Sequence, residues 1–149
     1  ESAGGLMNVD IVSCVLGSTV GDALGVISEA KSLQPEALLK VHVLADNGEL
    51  VGVVSVIRLL QAAQGAVVES IMDDDPVRVA PEADLTDVAL LMADYNLALI
   101  PVVDEGDKVL GVVTYDDVLA ALIPEDWRRR EPAPRPVRQV ASGPDGVTP

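Results

Sequence analysis

A hydroxyl and a carboxylate lie three residues apart in the segment GVVTYDD at 111–117. Thr114 follows a β-branched run and is a plausible N-cap, which places Asp117 in the first turn of the helix that follows. The two side chains then face one spot beside free backbone amides. The hydroxyl and the amides suit a phosphate, and the carboxylate can accept hydrogen bonds from both hydroxyls of a ribose. The same pair also forms a capping box without any ligand, and the spacing leaves both interpretations open.

Three consecutive carboxylates, Asp73, Asp74 and Asp75, form a second group of residues that could do chemistry. Pro76 follows them and disfavours helical angles at the preceding residue, so we expect the run in a loop. Oxygen ligands of this kind suit a hydrated Mg²⁺, and we predict a magnesium site here. Another acidic cluster, at 104–107, falls on a turn, where such residues are common without a metal.

The segment that contains Thr114 occurs twice in similar form, as GVVSVIRLL at 52–60 and GVVTYDDVL at 111–119. Upstream, VSCVLGSTVGDAL at 12–24 aligns without a gap on VRVAPEADLTDVA at 77–89. A period near 60 residues is too long for a solenoid unit and suits a duplicated small domain.

Each copy carries the same order of elements, β, α, β, β, α. In the second copy a strand at 77–79 is followed by Asp84 as an N-cap and by an apolar helical face over 84–95. Two strands joined by an Asp- and Gly-rich turn come next, and Thr114 begins the last helix. Because neither copy can easily bury its apolar strands alone, we predict an α/β (α+β) fold of two lobes related by a pseudo-twofold, with clefts for small molecules between them.

We place the first lobe at residues 1–65, the second at 66–123 and a charged, Pro-rich tail at 124–149. The tail holds six of the ten prolines and a run of arginines. We expect it to be largely disordered, with Trp127 docked on the last helix.

The formal net charge of the chain is −14, and residues 1–123 alone hold five Lys and Arg against twenty Asp and Glu, a net charge of −15. Nucleic-acid binding depends on basic residues that neutralise phosphates, so we exclude a nucleic-acid partner. Divalent cations or a basic partner would relieve the repulsion within this acidic body. A surface made acidic for solubility is the alternative.

The residues favour neither catalysis nor insertion into a bilayer. His42 is the only histidine, and strand alternation predicts a half-exposed side chain. Cys14 is the only cysteine, which fits a reducing cytosol, and we expect it in the core. No Walker loop is present, and no run approaches the roughly 20 apolar residues of a membrane span. We therefore predict a cytoplasmic protein that is not an enzyme.

The two copies of the repeat resemble the CBS domain, a β-α-β-β-α module that occurs in tandem pairs, over residues 6 to about 123. GVVTYDD fits the ligand signature of that family in full, whereas GVVSVIR fits except for Arg58, which stands where the acid belongs. Three stretches are similar to the cytosolic pair of MgtE-type magnesium transporters: LMADYNLALIPVVDEGDKVLGVVTYDDVL at 91–119, PEALLKVHVLAD at 35–46 and SIMDDDPVRV at 70–79.

The resemblance implies that Thr114 and Asp117 bind an adenine nucleotide such as ATP or AMP. It also implies that aliphatic residues hold the base, here Val77, Val79, Leu99, Ile100 and Pro101. Because Arg58 replaces the carboxylate in the first copy, we expect one competent nucleotide site.

The function that this resemblance implies is regulation. The module would form a homodimer, sense Mg²⁺ or an adenine nucleotide, and act on a membrane transporter domain in the same chain or in a partner. The alternative is a structural scaffold, a CBS pair that dimerises and holds no ligand.

Overall fold

The computed structural model describes residues 2–124 and 126, so the predicted tail and the docking of Trp127 lie outside the described residues apart from residues 124 and 126. The elements are α1 (Ala3–Leu6), β1 (Ser13–Val15), α2 (Val20–Glu29), β2 (Lys40–Leu44), β3 (Leu50–Ser55), α3 (Val56–Gln61), α4 (Leu85–Asp94), β4 (Leu99–Val103), β5 (Val109–Thr114) and α5 (Tyr115–Leu122). Short 3₁₀ helices lie at Pro35–Leu38 and Val68–Ser70.

The elements form two lobes, as the repeat predicts. In the first lobe β1 pairs with β2 in parallel and β2 pairs with β3 antiparallel. In the second lobe β4 pairs with β5 antiparallel, and all five residues of β4 are buried. Each lobe has its own aliphatic core. The mixed α/β fold in two lobes is therefore confirmed.

The helices begin at the residues whose types predict a cap. Thr19 Oγ1 accepts a hydrogen bond from the amide of Asp22 at 3.1 Å, and Asp22 Oδ2 accepts one from the amide of Thr19 at 3.0 Å, which completes a capping box. Asp84 Oδ2 caps α4 by accepting from the amide of Thr86 at 3.0 Å. The predicted helix over 84–95 is confirmed to within a residue at each end.

The predicted strand at 77–79 is reduced to one parallel bridge, between Val79 and Val102. In the first lobe the amide of His42 donates to the carbonyl of Val12 at 2.9 Å. Pro101 occupies the equivalent position of β4 and has no N–H to donate. The second lobe therefore lacks that hydrogen bond, and the expectation of a full strand there was wrong.

The lobes exchange the segments that precede their first strands. Residues 2–8 run onto the second lobe, where Asn8 and Val112 exchange two backbone hydrogen bonds of 2.7 and 2.8 Å. The matching segment, 67–73, runs onto the first lobe and ends in the same pairing of Asp73 with Val53, at 2.9 and 3.0 Å. The domain boundaries at 1–65 and 66–123 stay predictions. The segment that precedes the first strand of one lobe therefore packs on the other lobe.

The lobes also meet through their hairpin turns. Glu49 and Lys108 form an antiparallel bridge, and the amide of Leu50 donates to the carbonyl of Asp107 at 2.9 Å. Glu49 and Lys108 occupy equivalent positions in the two copies, so a local twofold axis passes between them. Beside it a small apolar cluster from both lobes is buried, made of Leu50, Val53 and Val103.

Candidate ligand-binding cleft

A cavity of about 460 Å³ is lined by residues of both lobes, a volume typical of small-molecule sites. The second lobe supplies an apolar wall that includes Val77, Leu99 and Pro101. The first lobe supplies most of the polar wall, with Lys40, His42, Ser55 and Arg58.

Three of the residues predicted to hold a base, Val77, Leu99 and Pro101, line this cavity. The other two do not. Ile100 is fully buried and Val79 is 7% exposed, and both belong to the core of the second lobe. Successive strand residues point to opposite faces, so Ile100 cannot share a face with its two neighbours.

Thr114 and Asp117 lie close to each other but do not line the cavity. Thr114 is 8% exposed, and its Oγ1 accepts a hydrogen bond from the amide of Asp117 at 3.3 Å. Their counterparts in the first copy, Ser55 and Arg58, line the cavity instead, with Ser55 Oγ accepting from the amide of Arg58 at 3.2 Å. The structure thus brings the apolar residues of the second copy together with the hydroxyl and the cation of the first.

His42 contradicts the expectation of a half-exposed side chain, because it is only 1% exposed. β2 is the middle strand of its sheet, its other face packs into the lobe core through Val41 and Val43, and the second lobe covers the face that carries His42. The alternation of β2 is present, but both of its faces are buried. Sequence reasoning therefore missed His42 as a residue of the cleft.

The protonation state of His42 follows from its surroundings. Its Nδ1 lies 3.2 Å from the carbonyl oxygen of Val12, and a carbonyl can only accept, so Nδ1 carries the hydrogen. Burial lowers the pKa of His42 to about 4, against a raising contribution from the Val12 hydrogen bond, and the charge of Lys40 lowers it further. The ring is neutral at pH 7. Its Nε2 is buried and has no hydrogen-bond partner within the described part of the chain.

The predicted magnesium ligands Asp73, Asp74 and Asp75 are all exposed, and the structure does not gather them into one site. Asp73 Oδ1 accepts a hydrogen bond from the amide of Asp75 at 3.1 Å. Arg78 forms ion pairs with Asp75 at 3.3 Å and with Asp107 at 2.8 Å, so it joins the two acidic clusters. Across residues 2–124 and 126, no three His, Cys, Asp or Glu side chains are placed to hold a metal ion. The magnesium site at Asp73, Asp74 and Asp75 stays a prediction.

Comparison with known proteins identifies this architecture. The family model described as "CBS domain" matches twice, at residues 3–65 and 68–124. The chain belongs to the CBS domain family. Its two lobes are therefore a tandem CBS pair, and the cavity lies between the two CBS domains.

Within the family, the chain shows close sequence similarity to magnesium transporters. It is 38% identical over 122 residues to the magnesium transporter MgtE of Thermus thermophilus, which covers 82% of this chain and 27% of the relative. It is 32% identical over 119 residues to MgtE of Enterococcus faecalis, covering 80% of this chain and 26% of the relative. The chain thus spans about a quarter of the length of these transporters.

The structural similarity agrees with the sequence. A crystal structure of the cytosolic domain of the Mg²⁺ channel MgtE in complex with ATP matches this CBS pair with a TM-score of 0.78 and 37% identity. The match covers 82% of this chain and 49% of that one. None of the helices within residues 2–124 is long and apolar enough to cross a membrane.

Proposed function

We propose that this CBS pair is the cytosolic regulatory module of a magnesium transporter and that it binds an adenine nucleotide such as ATP or AMP between its lobes. One observation carries the proposal. The cavity between the CBS domains occurs in a chain that is 37% identical to a cytosolic domain of MgtE whose crystal structure is a complex with ATP. The module has no enzymatic activity of its own in this proposal.

The geometry suits regulation because a ligand in the cleft touches both lobes. Leu99 and Pro101 come from the second lobe, whereas Ser55 and Arg58 come from the first. A ligand that contacts both walls favours the lobe arrangement in which those contacts form, and it shifts the population toward that arrangement. A transporter domain attached to the pair, in the same chain or in a partner, would respond to the change in lobe orientation.

In this proposal a second nucleotide binds at Thr114 and Asp117, which the pseudo-twofold relates to Ser55 and Arg58 of the first copy. Asp117 is exposed and one helical turn from the hydroxyl of Thr114, so its carboxylate is free to accept both hydroxyls of a ribose. Unlike Asp22 in α2, Asp117 completes no capping box with its N-cap residue in the described chain, so its carboxylate is available to a ligand.

Mg²⁺ acts in this proposal on the acidic body rather than at one centre. The net charge of −15 over residues 1–123 drives the lobes and subunits of a homodimer apart, and divalent cations screen that repulsion. Small-angle scattering with and without Mg²⁺ tests this: the radius of gyration should fall when Mg²⁺ is added, and an equal fall with matched ionic strength of Na⁺ would contradict a role for the divalent ion.

Calorimetric titration of ATP, ADP and AMP tests the nucleotide part. Asp117→Asn removes the charge that accepts the ribose hydroxyls, and we expect it to weaken one site about tenfold or more, because hydrogen bonds to charged groups contribute about 1.5–3 kcal/mol. Asp116→Asn is the matched control, since both side chains are exposed in the first turn of α5. An absence of heat from all three nucleotides would favour the scaffold function instead.

A further inference from the structure

One turn residue of the second lobe has a backbone conformation that favours glycine. Asp107 has a φ of 66°, in the left-handed region where most side chains are strained. The equivalent turn of the first lobe has Gly48, with a φ of 91°. The two residues are equivalent because the amide of Gly48 donates to the carbonyl of Ala45 at 2.9 Å, and that of Asp107 to the carbonyl of Asp104 at 3.0 Å. The conformation of Asp107 therefore indicates a role for its carboxylate that glycine could not fill.

The carboxylate of Asp107 binds the segment 73–78 that leads from the first lobe to the second, called the connector below. Arg78 Nη1 donates a hydrogen bond to Asp107 Oδ2 at 2.8 Å, and Arg78 Nη2 donates one to Asp75 Oδ1 at 3.3 Å. Arg78 Nε donates to the carbonyl of Pro76 at 3.1 Å. The guanidinium is thus held at three points, and it fixes the end of the connector against the hairpin turn of the second lobe.

The backbone of Asp107 lies at the contact between the two lobes. Its carbonyl accepts a hydrogen bond from the amide of Leu50 in the first lobe at 2.9 Å. On the other side of the local twofold, the amide of Val109 donates to the carbonyl of Gly48 at 3.4 Å. Asp107 therefore joins its own hairpin turn to the first lobe through its carbonyl and to the connector through its carboxylate.

The connector also forms part of the cavity wall. Asp73, Pro76 and Val77 line the cavity, and Arg78 follows them directly. A molecule that fills the cavity therefore lies against the segment that Arg78 ties to the hairpin turn. The ion pair is weak enough to open, because Asp107 keeps 46% of its side-chain surface exposed and solvent screens the attraction.

We propose that Arg78 and Asp107 form an ion-pair latch that couples the connector in the cavity wall to the contact between the hairpin turns of the two lobes. With the latch closed, the connector supports the turn whose carbonyl accepts from Leu50. With the latch open, the connector moves independently of that turn, and the contact between the lobes weakens. The coupling to a ligand rests on the proposed function and deepens it, because it names the contact through which a ligand in the cleft alters the lobe arrangement.

Amide hydrogen exchange of the full chain tests the latch without any ligand. Asp107→Asn removes the charge and keeps a residue type that tolerates the left-handed region. We expect Asp107→Asn and Arg78→Gln each to speed exchange at the Leu50 amide about two- to fivefold, the effect of one partly exposed ion pair. If Arg78 acted only within the connector, exchange at Leu50 would not change. Glu105→Gln is the matched control, because Glu105 is an exposed acid of the same turn and belongs to neither ion pair of Arg78.

The double variant shows whether the two residues act as a pair. If they do, Asp107→Asn combined with Arg78→Gln speeds exchange at Leu50 no more than the larger of the two single effects. Effects that multiply in the double variant, or exchange at Leu50 that keeps the wild-type rate in both single variants, would overturn the latch.

Saturation with ATP tests the coupling to the cleft. We expect ATP to slow exchange at Leu50 at least about twofold in the wild type, because a ligand that orders the connector keeps the latch closed, and to have no such effect in Asp107→Asn. If ATP binds and exchange at Leu50 stays the same in the wild type, the coupling is wrong and the proposed function stands. If ATP does not bind, the nucleotide part of the proposed function fails, and the single and double variants alone decide the latch.

Discussion

Acidification should destabilise this protein through His42 in particular. Its pKa in the folded state, about 4, lies below the ordinary value of 6.5, because the ring is buried. As the pH falls below 6.5 the unfolded chain takes up the proton first, so the stabilising contribution is fully present above that value and is lost toward pH 4. One unit of pKa corresponds to about 1.4 kcal/mol, so a shift of this size amounts to about 3.5 kcal/mol in full.

The measurement is urea unfolding at a series of pH values from 7.5 to about 4.5, for the wild type and for His42→Gln. Glutamine cannot titrate, and the acidic side chains that do titrate are the same in both proteins, so their effect cancels in the difference. We expect the stability of the variant to rise relative to the wild type by about 2.5 kcal/mol across the series. Most of the change should fall below pH 6.5.

The charged side chains near His42 determine which control variant is used. Lys40, on the same strand, lowers the pKa of His42, and Arg58 and Asp73 line the same cavity. In Lys40→Gln the relative rise should become somewhat smaller, because one positive charge that opposes protonation is gone. Parallel stability curves for wild type and His42→Gln would refute the assignment of a buried, neutral imidazole.

Three further predictions concern residues that stabilise the two lobes on either side of the cleft. Gly111→Ala should lower the free energy of unfolding by about 2 kcal/mol, since its Cβ would stand 2.6 Å from the carbonyl oxygen of Asn8; urea denaturation checks this, and an unchanged midpoint would contradict the close approach. Arg78→Gln should cost only about 0.5–1 kcal/mol, because its partners Asp75 and Asp107 keep 93% and 46% of their side-chain surface exposed, and the loss should shrink in high salt. Thr19→Ala removes the capping box of α2 and should cost about 1 kcal/mol in the same assay, whereas a stability equal to the wild type would show that the cap is dispensable.

The fold could be predicted from local patterns because the repeat shows each of them twice. Thr19 and Asp84 signal helix starts at equivalent positions, and both caps are present. The strand at 77–79 was overestimated because Pro101 removes a hydrogen bond from the neighbouring strand. That effect depends on which residues pair across strands, and a single segment does not reveal it.

The site was harder to predict because it is built across the two copies. In the sequence, Thr114 and Asp117 belong to the same copy as the apolar run that ends at Pro101. In the fold, that run instead faces Ser55 and Arg58 of the other copy across the cavity. Which copy faces which is decided by how the lobes pack, and no spacing within one copy carries that information. The burial of His42 has the same origin, because the covering wall belongs to the other lobe.

Because of the exchanged segments at 2–8 and 67–73, each copy depends on the other for part of its structure. A chain cut between the copies would leave the first half without 67–73 and would expose the backbone of β3 beside Val53 as an unpaired edge. Such an edge invites pairing with another molecule. Neither copy taken alone would therefore keep all the backbone hydrogen bonds that its β-hairpin makes in the pair.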